Sequence, residues 1–127
     1  MTEPGTAPRQ LRVLVIEDEV LIAMLVGDML AELDYAVVGP VPDLDRALAA
    51  IDEGGFELAI LDVNLKGRES SAVAERLKAR QVPFVFATGY SRQPPAGFEK
   101  VPTLQKPFQL EDLRRELAKA RAGTAYA

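Results

Sequence analysis

The sequence predicts an α/β fold in which one parallel β-sheet is covered by helices on both faces. Short apolar runs rich in β-branched residues alternate along the 127-residue chain with segments of helical periodicity. Continuous apolar runs are typical of strands buried on both faces, as parallel strands are. Parallel neighbours need long connections, which the helical segments supply as right-handed crossovers. Since the length corresponds to about one domain, we expect a single doubly wound α/β domain.

Five segments have the composition of strands. Four are continuous apolar runs, at residues 12–16, 36–38, 58–61 and 83–87, and we expect them to be buried on both faces of the sheet. The fifth, at residues 102–106, is more polar, so we predict that it is an edge strand.

Helices are expected at residues 20–33, between Asp43 and Gly54, at 69–80 and at 110–121. Asp43 is a suitable N-cap, and the glycines after residue 53 are suited to end the second helix. In each segment, apolar residues recur at intervals of three and four and predict one buried stripe. The residues expected to face inward are Ile22, Leu25, Val26, Met29, Leu30 and Leu33; Leu44, Ala47, Leu48 and Ile51; Val73 and Leu77; and Leu110, Leu113 and Leu117.

The segment between the fourth and fifth strands departs from this alternation. Residues 89–101 contain Pro94, Pro95 and Gly97, and adjacent prolines remove amide donors and restrict the preceding residue. We therefore predict that the helix expected here is short or irregular and that the segment is mobile.

Composition excludes several kinds of chemistry. The chain has no cysteine and no histidine, so disulfides, zinc held by Cys or His, histidine acid–base catalysis and Ser-His-Asp or Cys-His nucleophiles are excluded. The net charge of −4 argues against a general nucleic-acid or membrane-surface binder. Without a membrane-length apolar run or a signal-peptide pattern, we expect a soluble cytoplasmic protein.

Charge is distributed unevenly along the chain. Residues 1–64 hold 13 acids and 3 bases, whereas residues 65–127 hold 6 acids and 12 bases. The asymmetry is compatible with charge complementarity between packed elements, or with an acidic pocket in the first half and a basic docking face in the second.

Polar side chains follow four of the predicted strands. The acidic run 17–19 follows the first strand, Asp62 ends the third, Thr88 the fourth and Lys106 the fifth. Ligand sites of open parallel sheets lie beyond the carboxyl ends of the strands, so we expect these groups to share one crevice. Two carboxylates about 5 Å apart repel by roughly 3 kcal/mol at an effective dielectric constant near 20. An all-oxygen site of this kind favours Mg²⁺, with which a phosphoryl group on an aspartate becomes tolerable.

Each of these residues also has a purely structural interpretation. Asp62 could form a turn or cap a helix, Thr88 could simply end a strand, and Lys106 could lie in a solvated turn. The acidic run could favour the start of the first helix. The occurrence of all four signals at strand ends favours a functional site over these separate explanations.

The strand-end residues resemble the motifs of CheY-like receiver domains of bacterial two-component systems. The similar segments are residues 13–19, 61–65, 87–89 and 106–108. The resemblance covers about residues 11–122, leaving an arm at 1–10, predicted to be disordered, and a tail at 123–127. It implies a flavodoxin-like sheet with strand order 2-1-3-4-5. Residues 86–90, Phe-Ala-Thr-Gly-Tyr, also resemble a receiver subgroup that is associated with atypical histidine kinases.

The resemblance implies roles for three residues in phosphoryl transfer. Asp62 would be the phospho-acceptor, Thr88 the switch hydroxyl and Lys106 the cation that pairs with the phosphate. It further implies a cis peptide bond between Lys106 and Pro107.

The same resemblance implies a magnesium site. Asp18 and Asp62 would bind Mg²⁺, and Glu17 would act through water. The backbone carbonyl of Asn64 would be a further ligand.

Two features depart from the receiver pattern. Most receivers have Tyr or Phe three residues before the lysine, whereas this chain has Thr103, and the fourth helix is replaced by the proline-rich segment. Our hypothesis is that phosphorylation orders residues 89–101, with Tyr90 or Phe98 as the buried anchor.

The first helix offers a candidate partner surface. At 100° per residue, Val20, Leu21 and Met24 fall on the side opposite the predicted core stripe. Single exposed apolar residues are common, but three beside an acidic crevice fit the docking of a kinase helix that brings its phosphohistidine to Asp62.

The favoured function is a single-domain response regulator and not an enzyme, apart from slow self-dephosphorylation. It would accept a phosphoryl group on Asp62 from a histidine kinase or phosphotransfer protein, with Mg²⁺, and so switch binding of another protein. One alternative is a magnesium phosphohydrolase of the haloacid-dehalogenase kind, but these have a second Asp where this chain has Asn64. The other is a receiver-like interaction domain that is not phosphorylated.

Overall fold

The computed structural model describes residues 10–89 and 93–123 and has the predicted α/β architecture. The strands are β1 (Arg12–Ile16), β2 (Ala36–Val41), β3 (Leu58–Asp62), β4 (Asn64–Leu65), β5 (Arg68–Glu69), β6 (Phe84–Thr88) and β7 (Thr103–Gln105). The helices are α1 (Val20–Glu32), α2 (Leu44–Glu53), α3 (Ser71–Ala79) and α4 (Leu110–Ala122).

Five parallel strands form the main sheet, in the order β2-β1-β3-β6-β7, and β4 and β5 form a separate antiparallel hairpin. Counted within the main sheet alone, the order is 2-1-3-4-5, so the predicted flavodoxin-like topology is confirmed. The hairpin was not predicted. The predicted arm at 1–10 and tail at 123–127 fall almost entirely outside the described residues, and their expected disorder stays a prediction.

The two edge strands of the sheet differ in character. The polar strand β7 lies at one edge, as predicted. β2 lies at the other edge, and Val37 is exposed, so the prediction that this strand is buried on both faces is wrong. An edge strand has a neighbour on one side only, and its composition does not reveal this. Gly39 of β2 has φ +92°, and an added Cβ would lie 3.0 Å from the amide nitrogen of Val41 and 3.1 Å from the carbonyl oxygen of Val15. Glycine therefore permits the close approach of β2 to β1.

The helices begin and end within two residues of the predicted positions. Asp43 caps α2 as predicted, accepting a hydrogen bond from the Arg46 amide at 2.8 Å, and Gly54 ends that helix with φ +78°. α3 begins two residues later than predicted because residues 68–69 belong to the hairpin. Within the described part of the chain, every helix is too short or too polar to cross a lipid bilayer.

The core consists of two apolar layers, one on each face of the sheet. Residues of α2 and α3 pack on one face, and residues of α1 and α4 pack on the other. Most of the predicted stripes are buried or half-buried, but the inward position predicted for Leu25 is wrong, because its side chain is 52% exposed. The buried face of α1 is centred on Ala23, Val26 and Leu30, and Leu25 lies about 130° around the helix from that centre.

The connection between β6 and β7 has turns and no helix in residues 93–102, as the prolines predicted. Phe98 and Val101 are buried in the core all the same. The Phe98 ring lies 6.2 Å from that of Phe84 and 6.1 Å from that of Phe86, between ring centroids. Phe98 is thus already an anchor in this structure, whereas the second candidate anchor, Tyr90, lies outside the described residues. Ordering of this segment on phosphorylation, and its mobility, stay predictions.

Candidate functional site

The polar strand-end residues meet in one cleft at the carboxyl edge of the sheet, as predicted. The cleft has a volume of about 530 Å³. Its polar lining includes Asp18, Asp62, Asn64, Thr88 and Lys106. They lie at the ends of four strands, with Asp18 after β1, Asp62 and Asn64 at or just after the end of β3, Thr88 at the end of β6 and Lys106 after β7. The crossover topology thus brings residues 18 and 106 together.

Lys106 is the electrostatic centre of the site. Its Nζ lies 2.7 Å from Oε1 of Glu17 and 2.8 Å from Oδ2 of Asp62, and its side chain is only 12% exposed. Burial alone would lower the pKa of the Lys106 ammonium, but its hydrogen bonds to Asp62 and Glu17 raise that pKa above the ordinary value. Lys106 therefore carries a permanent charge between the two buried carboxylates. The peptide bond between Lys106 and Pro107 is cis, as the resemblance implied.

Glu17 is held in place by the edge of the sheet. Its amide donates to the carbonyl of Val41 at 3.1 Å, and its Oε2 accepts from the Glu19 amide at 3.1 Å. Burial raises the pKa of Glu17 to about 7, with a further contribution from the negative charge of Asp62 and an opposing one from Lys106. The single ammonium thus does not fully compensate the buried acids.

The acidic cluster fits a hard divalent cation. Glu17, Asp18 and Asp62 each offer a carboxylate oxygen, and these atoms all lie within 4.8 Å of one another. Such oxygen donors suit Mg²⁺, which keeps several waters and binds through one or two carboxylates. Burial is the main cause of the raised pKa of Glu17, and the negative charge of Asp62, which a bound cation would offset, adds to it.

Backbone amides orient two of these carboxylates. The Asn64 amide donates to Oδ1 of Asp62 at 3.1 Å, and the Lys66 amide donates to Oδ2 of Asp18 at 3.0 Å. The Asn64 side chain does not point freely into the cleft, because its Oδ1 accepts from the Gly67 amide at 2.9 Å. The ligand role predicted for Asn64 belongs to its backbone carbonyl and not to this side chain.

Thr88 lies buried in the cleft wall at the end of β6. Its hydroxyl donates to the Gly89 carbonyl at 3.1 Å, and its own carbonyl accepts from the Lys106 amide at 2.7 Å. The threonine and the lysine are therefore joined through the backbone as well as by their shared cleft.

The predicted partner residues lie at the surface. Val20, Leu21 and Met24 are 71%, 80% and 62% exposed, and Leu25 extends the same patch. We call these four residues the apolar face of α1. Leu25 also lines the cleft together with Ile22 and Phe108, so the apolar face continues into the site.

Sequence reasoning missed two structural features of the site. The β4–β5 hairpin directly follows Asp62, and the buried hydroxyl of Ser70 donates to the Asp62 carbonyl at 2.6 Å. The dipeptide Lys66-Gly67 after Asn64 is a turn signal that could have indicated the hairpin. No sequence pattern distinguished Ser70 from an ordinary helix cap.

Comparisons with known proteins agree with this geometry. Residues 13–118 match the family described as the response regulator receiver domain. The transcriptional regulatory protein PdtaR of Mycobacterium tuberculosis is 34% identical over 125 residues, covering 89% of this chain and 59% of PdtaR. The sensory transduction protein LytT of Bacillus subtilis is 33% identical over 118 residues, covering 86% of this chain and 47% of LytT. The chain thus spans about half the length of these relatives.

Two solved structures are similar to this chain. SdrG of Sphingomonas melonis Fr1 is 46% identical, with a TM-score of 0.81 over 88% of this chain and 97% of SdrG. The receiver domain of the Pseudomonas aeruginosa sensor histidine kinase PA1611 is 21% identical, with a TM-score of 0.75 over 91% of this chain and 100% of that domain. It was solved with a magnesium ion coordinated in its active-site cleft. Since the family match extends from β1 into α4 and the strand-end motifs occupy one cleft, this chain belongs to the response regulator receiver domain family of two-component systems.

Proposed function

We propose that this chain accepts a phosphoryl group on Asp62 from a phosphohistidine of a histidine kinase or phosphotransfer protein, and thereby switches its binding to another protein. The observation that carries the proposal is the position of the Lys106 ammonium, which lies 2.8 Å from Asp62 Oδ2 in a cleft shared with two further acids. An ammonium at that distance stabilises the carboxylate before transfer and the phosphoryl oxygens after it.

The transfer conserves atoms and charge as follows. A carboxylate oxygen of Asp62 attacks phosphorus, and a phosphorus–oxygen bond forms as the phosphorus–nitrogen bond to the donor imidazole breaks. The imidazole nitrogen keeps the electron pair and takes a proton from solvent. Because the Asn64 amide and Lys106 each bind one oxygen of Asp62, the carboxylate is oriented before the donor arrives.

The residues fit Mg²⁺, as their three clustered carboxylate oxygens indicate. We propose that Glu17, Asp18, Asp62 and the backbone carbonyl of Asn64 hold the ion, with Glu17 acting through water. When bound, Mg²⁺ would offset the negative charge of the carboxylates and the phosphoryl oxygens. Lys106 supplies one positive charge, which is fewer than the three carboxylates of this cluster.

Thr88 is the proposed reporter of phosphorylation. Its hydroxyl, which donates to the Gly89 carbonyl here, would donate instead to a phosphoryl oxygen on Asp62. That change pulls on the start of the connection between β6 and β7. Since Thr103 occupies the position where most receivers have an aromatic residue, we propose that this connection carries the response.

The apolar face of α1 is the proposed docking surface for the phosphohistidine donor. It adjoins the cleft through Leu25, and α1 contains acids but no Lys or Arg. Asp28 and Glu32 are exposed along the same helix. A donor helix with an apolar stripe flanked by basic residues therefore fits this surface in both hydrophobicity and charge.

Intact-protein mass spectrometry tests the proposal directly. The chain is incubated with acetyl phosphate and MgCl₂, beside the variant Asp62→Asn, which keeps size and hydrogen-bonding capacity but removes the nucleophile. We expect one added phosphoryl group on the native chain and none on the variant. Phosphate that persists on Asp62→Asn would identify another acceptor. Steady phosphate release from unrelated phosphoesters would favour the phosphohydrolase instead.

A further inference from the structure

Ser70 joins the two ends of the segment that follows Asp62 (residues 63–70) by hydrogen bonds. The Ser70 hydroxyl is completely buried and lies 2.6 Å from the carbonyl oxygen of Asp62 and 3.1 Å from that of Val63. The Ser70 amide donates to the Val63 carbonyl at 2.9 Å. One residue thus binds both peptide carbonyls directly after the phospho-acceptor position.

The middle of the segment is the β4–β5 hairpin. Asn64 and Leu65 pair with Glu69 and Arg68, and the turn residues between them have φ values of +51° at Lys66 and +80° at Gly67. Two successive positive φ values are typical of the tight turns that join two hairpin strands. The hydrogen bond from the Gly67 amide to Asn64 Oδ1 closes this turn.

The hairpin contacts two of the three acids of the proposed magnesium site, Asp18 and Asp62, through backbone amides. At its tip, the Lys66 amide binds Asp18, which is 48 residues distant in sequence, and at its start the Asn64 amide binds Asp62. A shift of this segment therefore moves the donors that orient two carboxylates and moves the Asn64 carbonyl as well.

Ser70 does not act as an ordinary helix cap. It occupies the N-cap position of α3, where a serine side chain commonly accepts a hydrogen bond from the first turn. Here the side chain makes no such cap hydrogen bond. Its hydroxyl hydrogen-bonds the carbonyls of Asp62 and Val63 instead. It therefore stabilises the loop after Asp62 rather than the first turn of α3.

From this geometry we infer that Ser70 is a positioning residue for the magnesium site, acting through the β4–β5 hairpin on Asp18, Asp62 and the Asn64 carbonyl. The inference rests on the proposed function, because it requires the acidic cluster to bind Mg²⁺. Removing a residue that orients metal ligands commonly weakens metal binding by about 10- to 100-fold. Ser70 therefore contributes to affinity without touching the ion.

The experiment is an NMR titration of the full chain with MgCl₂, in which amide shifts of residues 62–70 give the dissociation constant. Ser70→Ala removes only the hydroxyl oxygen, and we expect it to weaken Mg²⁺ binding by about tenfold. The matched control is Ser71→Ala, because the Ser71 hydroxyl donates to the exposed Glu69 carboxylate at 2.9 Å and not to the carbonyls of Asp62 and Val63. We expect the control to bind Mg²⁺ as the native chain does. Thermal unfolding of each variant reports stability separately.

The outcomes separate this inference from the proposed function. Native affinity in folded Ser70→Ala would overturn the positioning role alone and leave Ser70 with a purely structural one. Absence of Mg²⁺ binding by the native chain would overturn the proposed function and this inference together. Should Ser70→Ala not fold, Ser70→Cys, which keeps the size of the side chain but replaces the hydroxyl that binds the carbonyls of Asp62 and Val63 with a weak donor, decides instead. Weakened binding in that variant supports the inference, and unchanged binding overturns it.

Discussion

Two connections border the cleft, and they are stabilised in different ways. The β3–α3 loop (residues 63–70) is held by hydrogen bonds from Ser70, within its hairpin and to Asp18. The β6–β7 connection (residues 89–102) has no helix or strand in its described residues, 89 and 93–102. The backbone hydrogen bonds within it are local, from the amide of Phe98 to the carbonyl of Pro95 and from the amide of Val101 to that of Phe98, and the buried side chains of Phe98 and Val101 pack it against the core. Hydrogen bonds fix direction, whereas apolar packing does not. The first connection is thus suited to hold ligands in place, and the second to change conformation.

The largest effect is expected on stability, from removal of Phe98, the aromatic side chain that anchors the β6–β7 connection in the core. Phe98→Ala removes a buried side chain that lies against Phe84 and Phe86, so unfolding free energy should fall by about 3–5 kcal/mol. Urea denaturation measures it. The control Leu21→Ala, at an exposed position, should change stability by less than about 0.5 kcal/mol. A loss below about 1 kcal/mol in Phe98→Ala would mean that packing of Phe98 does not stabilise the connection.

The next effect concerns Lys106, which joins the two sides of the cleft. Lys106→Met keeps most of the aliphatic chain but removes the ammonium beside Asp62 and Glu17. We expect the rate of Asp62 labelling by acetyl phosphate to fall by about 100-fold, because the charge that stabilises the phosphoryl oxygens is lost.

Mass spectrometry of initial rates measures this change. The matched control is Lys66→Met, since Lys66 contacts the site through its backbone amide and its side chain is exposed. Equal rates for Lys106→Met and the native chain would contradict a role for the ammonium in transfer.

A smaller effect is expected on the apolar face of α1, which belongs to neither connection. Leu21→Glu places a charge in this face, at a residue that is 80% exposed, so the fold should be retained. We expect phosphotransfer from purified, autophosphorylated histidine kinases to slow by about tenfold, the cost of roughly 1.4 kcal/mol in docking. Labelling by acetyl phosphate should remain at the native rate, because that small donor needs no docking surface. An equal loss with both donors would contradict docking and indicate a disturbed site.

The regular part of the fold could be predicted because its signals are repeated along the chain. Strands such as β1 and β3 are continuous apolar runs, and parallel strands end at the same edge of a sheet, so Asp18, Asp62 and Lys106 were expected together. The irregular β6–β7 connection followed from adjacent prolines, which remove backbone donors whatever the tertiary context.

Other features depend on tertiary context that single-sequence patterns do not contain. The strands β4 and β5 have two residues each, too few to show alternation, and their pairing is supported by contacts with distant Asp18. Leu25 has the spacing of a core residue but faces the mouth of the cleft, because the sheet contacts α1 on its Ala23 side. Ser70 has the composition of a helix cap, and only the structure gives the direction of its hydroxyl.

The last prediction compares the two connections under the same stimulus. Amide hydrogen exchange is measured on the chain with Mg²⁺, with and without beryllofluoride as the phosphoryl mimic, and Asp62→Asn serves as the control that should not respond. We expect severalfold slower exchange in residues 93–101, since redirection of the Thr88 hydroxyl acts on a segment whose backbone hydrogen bonds, such as that from Phe98 to Pro95, are local. Residues 63–70 should change less, because their hydrogen bonds already exist in this structure. Identical exchange of residues 93–101 in both states would show that the connection does not respond to phosphorylation and that the signal leaves the cleft by another route.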